Sequence, residues 1–119
     1  MTKTPLEVAK TLLDITRACR AIESFTRGKS LADYQRDFML RSAVERQFEI
    51  AGEAISRLSR IDAPLTHRIR DHARIISFRN RLIHGYDSID DEVVWGVIEK
   101  NLPLLLADLA DIHRECDQK

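Results

Sequence analysis

The chain has 119 residues, 44% of them hydrophobic and 32% charged, and its 19 basic side chains balance its 19 acidic ones. That is enough for one domain around one core, and it excludes a membrane protein, since no apolar run approaches the roughly 18 residues of a spanning helix. Zero net charge also argues against a basic footprint for duplex DNA over the whole domain. The start, Met1-Thr2-Lys3-Thr4-Pro5, lacks the apolar stretch of a signal peptide, so a cytoplasmic protein is expected.

Helical periodicity dominates from Pro5 onward. Leu12, Ile15, Cys19, Ile22 and Phe25 recur at spacings of three and four, one apolar stripe on a first helix. Pro5 suits its first turn and Gly28 its stop. Ser30 followed by Asp33 is a helix-start signal. A long second helix is predicted from there to about Leu58, with Leu40, Val44, Phe48, Ala51, Ile55 and Leu58 as its stripe. Gly52 interrupts it at about 1 kcal/mol relative to Ala, which is tolerable if another helix approaches closely there. Asp62-Ala63-Pro64 is a break. A shorter helix or a helical pair follows from Leu65 to about Ile83, with Gly85 as a stop. Asp90 is a good N-cap for a last helix carrying Val94, Ile98, Leu102, Leu105, Leu109 and Ile112. Pro103 sits inside that pattern and predicts a kink or restart between Glu99 and Leu102. No segment alternates with period two. The expectation is an all-α antiparallel bundle of four or five helices forming one domain over residues 1–119.

The charge is unevenly placed. Residues 67–86 hold five arginines (68, 70, 74, 79 and 81) against Asp71 alone, whereas residues 87–119 hold nine acidic side chains against three basic ones. Cys19 and Cys116 belong to no CxxC pair and are expected to be two buried thiols. His67, His72, His84 and His113 lack metal-site spacing, so neither metal nor other cofactor is expected. Glu49 and Glu53, four apart, suggest solvation or ion pairs with Arg46 and Arg57 more than a carboxylate pair.

Within the basic segment lies Arg79-Asn80-Arg81-Leu82-Ile83-His84-Gly85-Tyr86. A guanidinium presents a planar fork of donors that matches phosphate oxygens. An imidazole, with an ordinary pKa of about 6.5, exchanges protons near neutrality. On an unbroken helix Arg79 and His84 are about 140° apart around the axis, with about 7.5 Å of rise. They converge on one phosphate only if the helix ends before His84, or if a two-fold dimer brings in a second copy of the segment.

This octapeptide, Phe78 before it, Gly52-Glu53-Ala54, Val94-Trp95 and Leu102-Pro103 together resemble the HepT-like toxins of the HEPN superfamily over nearly the whole chain. One departure is the region His72-Ala73-Arg74, where the family commonly has a Trp. The resemblance implies a dimeric helical bundle whose motifs line a composite cleft, and metal-independent endoribonuclease activity of a type VII toxin–antitoxin system. In that scheme His84 is the base toward a ribose 2′-hydroxyl or the acid toward the leaving oxygen. Arg79 holds the phosphate and Asn80 orients Arg79 or the scissile group. Arg74 and Arg81 are candidates for backbone phosphate contacts. The family also implies a cognate minimal nucleotidyltransferase antitoxin that transfers AMP to Tyr86, making it an O-AMP-tyrosine. A second reading of Tyr86 is a wall on which a base stacks. A different function also fits: a non-catalytic helical dimer subunit that binds and supports a nucleotidyltransferase.

Overall fold

The computed structural model describes residues 5–85 and 89–117, and all regular structure among them is helical. The helices are α1 (Pro5–Thr26), α2 (Leu31–Arg36), α3 (Phe38–Ile61), α4 (Ala63–Thr66), α5 (His72–His84), α6 (Asp91–Gly96) and α7 (Leu102–Asp117), with a π-helical turn at Val97–Asn101 joining the last two. Four rods result: α1, α3, α5, and the nearly continuous α6–α7. No helix of the described residues is long and apolar enough to cross a membrane.

Local chemistry accounts for the ends. Gly28 terminates α1 at φ +74°, a left-handed conformation that costs glycine little. Ser30 and Asp33 form a reciprocal capping box at α2. The expected single second helix is in fact two, because Asp37 leaves the helical region and its carboxylate accepts the Leu40 N–H at 3.0 Å, capping α3. Asp62 closes α3 and caps α4 by accepting from the Leu65 N–H at 3.1 Å. Pro103 acts as expected but with a defined geometry. It has no N–H to donate and its ring crowds the preceding turn, which is π-helical, with the Leu102 N–H donating to the Val97 carbonyl five residues back. Gly85 ends α5 at φ −122°, without needing the left-handed region.

The apolar stripes meet in one core around α3. Val44, Phe48, Ile55 and Leu58 pack with Leu12, Ile15 and Ile22 of α1, Ile75, Phe78 and Leu82 of α5, and Leu105, Leu109 and Ile112 of α7. Each such side chain contributes roughly 1.5–3 kcal/mol when fully buried. Phe48 and Phe78 meet edge to face at 5.1 Å, which seats α5 on α3. Trp95 packs against Tyr34 at 5.5 Å. Both Trp95 and Phe78 are therefore satisfied within the chain. Phe25, placed on the α1 stripe by its spacing, is instead exposed beyond the end of the core. Both cysteines are free. Burial pushes the Cys19 thiol up to about 12, so it is inert, whereas Cys116 is exposed and not the second buried thiol that was expected.

Candidate active site on helix α5

Helix α5 exists because Ile75, Phe78 and Leu82 supply one buried face at helical spacing. The turn before it is pinned to α7. The Arg70 N–H and guanidinium both donate to the Asp108 carboxylate, at 3.0 Å and 2.9–3.2 Å, and Arg68 pairs with Glu115. Burial pushes the Asp108 carboxyl up, but the hydrogen bonds and charge of Arg70 outweigh it and hold that carboxyl below its usual range. The acidic tail of the sequence thus neutralises two of the five clustered arginines. Asp71, at the N-cap of α5, makes no side-chain cap; its carboxylate accepts from Asn101 Nδ2 at 2.9 Å.

Arg79 lies on the side of α5 that faces α3. Its Nη2 donates to Glu53 Oε2 at 2.5 Å and its Nη1 to Asn80 Oδ1 at 2.7 Å, while its buried Nε has no hydrogen-bond partner among the described residues. The approach depends on Gly52. A Cβ there would overlap the Arg79 Cβ and lie 2.8 Å from its Cγ and 3.3 Å from the Ile75 carbonyl oxygen. The guanidinium, with its side chain 25% exposed, lines a cleft of about 540 Å³ between α1, α3 and α5. That cleft also holds Arg17, Glu49, Glu53 and Ile83.

His84 lies elsewhere. It is the last residue of α5 and shares a separate groove of about 440 Å³ with Ser77, Asn80 and Arg81. The helix runs unbroken through the motif, so the first route to convergence, an end before His84, does not occur. Asn80 links the two surroundings, through its bond to Arg79 and its place in the His84 groove. Arg74 and Arg81 lie on the outer face of α5 and pair with no carboxylate among the described residues. Tyr86 lies outside the described residues.

Glu53 is the residue that sequence spacing misplaced. Arg57 reaches Asp14 instead, at 3.6 Å, and only Glu49 pairs as expected, with Arg46 at 3.3 Å. The available signal was Gly52, one residue away. A glycine in mid-helix marked a close neighbour, and the carboxylate beside it meets that neighbour's side chain. His113 is engaged with Thr16 of α1 at 2.9 Å, and the rings of His67 and His72 lie 5.2 Å from each other, tilted by 40°.

Comparison with known proteins identifies the family. A family model described as "Ribonuclease HepT-like" matches residues 15–112. The chain is 35% identical over 96 residues to a probable ribonuclease HepT of Thermococcus cleftensis, covering 79% of this chain and 84% of that protein. It is 29% identical to a putative RNase of Caldanaerobacter subterraneus over 82% of this chain and 87% of the other. It is also 31% identical to a Methanocaldococcus jannaschii protein described as a gamma-glutamylcyclotransferase and putative RNase, covering 87% of this chain but 46% of that one. No solved structure matches the chain. With the match spanning the core helices, α5 and its Arg79–His84 motif, the chain belongs to the family of HepT-like ribonucleases.

Proposed function

We propose that this chain is a metal-independent endoribonuclease toxin of a type VII toxin–antitoxin system, acting as a homodimer and silenced by a nucleotidyltransferase. The observation that carries the catalytic reading is the disposition of Arg79 and His84. One is a preorganised guanidinium held by Glu53 and Asn80 in a cleft, the other a solvent-facing imidazole at the helix end. A two-fold pairing through the C-terminal end of α5, where Ile83 is 40% exposed, sets the motif of one copy beside that of the other and supplies two imidazoles.

The chemistry needs no further group. One imidazole takes the proton of a ribose 2′-hydroxyl and the 2′-oxygen attacks the adjacent phosphorus. The bond to the 5′-oxygen breaks, and that oxygen receives a proton from the second imidazole. The products are a 2′,3′-cyclic phosphate and a 5′-hydroxyl. Arg79 offsets the charge that develops on the phosphoryl oxygens, a contribution of about 3–4 kcal/mol for one well-placed donor. Neutralisation follows the same electrostatics. AMP on Tyr86, two residues beyond His84, places a phosphodiester and a nucleotide within reach of the cations that receive RNA.

One observation favours the second reading, a non-catalytic subunit that supports a nucleotidyltransferase: in the single chain Arg79 is already engaged by Glu53. The test separates the two. Purified protein is incubated with single-stranded RNA in EDTA, and product ends are identified by mass spectrometry. Cyclic-phosphate ends that vanish in His84→Ala support the nuclease, and intact RNA with the wild type rejects it. Mass gain on Tyr86 after incubation with ATP, magnesium and a nucleotidyltransferase encoded beside this gene tests the regulatory half. Gain on another residue removes that half alone.

A further inference from the structure

The outer face of α5 carries a second feature that the motif does not explain. The His84 groove continues into another of about 460 Å³, and the two share Ser77 and Arg81. This second groove runs between α5 and the α6–α7 rod, with Arg74 and Arg81 on one wall and Phe78 and Val97 as an apolar floor. Asn101 also lines it. From His84 to Arg74 the helix covers ten residues, about 15 Å, or roughly four stacked nucleotides at about 3.4 Å each.

The charges select the occupant. Arg17 apart, the other described arginines each bond a carboxylate, a main-chain oxygen or a hydroxyl, whereas Arg74 and Arg81 have no such partner among the described residues. They are seven residues apart, two helical turns, and so line up along one edge about 10.5 Å from each other. Among the described residues no carboxylate lines this groove; Asp71, which accepts from the Asn101 amide, lies outside the lining. A polyanion laid along this edge meets both cations.

The Asn101 geometry adds a reader. The π turn ahead of Pro103 brings Asn101 to the groove, and donation from Nδ2 to Asp71 Oδ2 fixes the amide plane. Its Oδ1 and second N–H are left as an acceptor–donor pair, the form in which an amide addresses the edge of an unpaired base.

We propose that this groove is a subsite for the single-stranded RNA that flanks the scissile phosphate, with Arg81 and Arg74 on backbone phosphates and Asn101 contacting a base over the Phe78–Val97 floor. The proposal rests on the ribonuclease reading for its biological sense, but its binding test does not. Fluorescence anisotropy of a labelled ten-nucleotide RNA, titrated with the full chain over a salt series, measures the subsite directly. Loss of one phosphate contact lowers the slope of log affinity against log salt by about 0.7 for a single strand, or about fivefold in affinity between 1 M and 0.1 M salt. Arg74→Ala and Arg81→Ala should each show that loss, while Lys29→Ala, at the α1–α2 turn, should not. Asn101→Ala should leave the salt slope unchanged and reduce the spread of affinities among RNAs of different base composition. Wild-type affinity and slope in Arg74→Ala would overturn the proposal. So would a change of mass by light scattering in Arg74→Ala, which would identify the groove as a contact between copies. Binding with the expected slopes but no cleavage would leave the subsite standing and reject the nuclease reading alone.

Discussion

Gly52→Ala is the sharpest probe of how α5 is seated. Two effects oppose each other. In an isolated helix the added methyl stabilises by about 1 kcal/mol. In the folded chain that methyl meets the base of the Arg79 side chain, with Cγ at 2.8 Å and the Ile75 carbonyl oxygen at 3.3 Å. Carbon atoms rest comfortably at about 3.5–4.0 Å, so the overlap is near an ångström, and a Cβ cannot swing away as a chain terminus can. The two helices must part. Overpacking of this kind costs about 1–3 kcal/mol, and contact with main chain and Cβ puts it at the upper end. The expected net loss is about 2 kcal/mol, a fall in Tm of about 8 °C for a domain of this size. Because Arg79 moves with α5, a shift of about 1 Å in its guanidinium should cost about 100-fold in cleavage rate. Thermal unfolding followed by circular dichroism and single-turnover cleavage of a defined RNA measure the two. A variant that melts above the wild type and cleaves at the same rate would refute the argument, because α5 could not then lie where Gly52 requires it.

Arg79→Ala and His84→Ala should each remove at least 100-fold of cleavage while the far-ultraviolet spectrum is retained, since neither side chain belongs to the core; an active, folded His84→Ala would reject the mechanism. Glu53→Gln should cost less than about 1 kcal/mol in stability, as expected for a partly exposed pair, yet lower kcat with little change in KM, because the carboxylate aims Arg79. A KM effect alone would place Glu53 outside that role. Asp108→Asn should flatten the acid limb of the stability curve. The folded carboxyl lies below its ordinary value of about 3.9, so its contribution is present above that pH and disappears as pH falls through the folded value. Identical acid limbs for variant and wild type, in urea melts at pH 2 to 6, would count against the Arg70–Asp108 bond. Light scattering should give a particle of about twice the 13.7 kDa chain mass, and a mass near one chain at micromolar concentration would exclude the composite cleft.

Helix type, most helix ends and most of the core were fixed by the sequence alone, because each depends on neighbours in the chain. The three- and four-residue stripes of α1, α3, α5 and α7 require one buried face each. Gly28, the Ser30–Asp33 box, Asp62 and Asp90 act on backbone groups within a few residues of themselves. The motif residues were legible for the same reason, as chemistry written in eight consecutive positions. Asp37 marks the limit even of local reading: its cap was present in the sequence, but nothing in the stripe showed that it would divide a helix. What tertiary structure alone decided is who meets whom across the bundle. Glu53 could pair with Arg57 one turn away or with Arg79 on another helix, and both choices satisfy local rules. The Gly52 approach brings α5 close enough for the second, and Asp14 of α1 takes Arg57 instead. The contact of Trp95 with Tyr34, 61 positions earlier in the chain, is of the same kind. Pairings of this kind turn on the distance between helices, a quantity set by the whole core and carried by no single stretch of sequence.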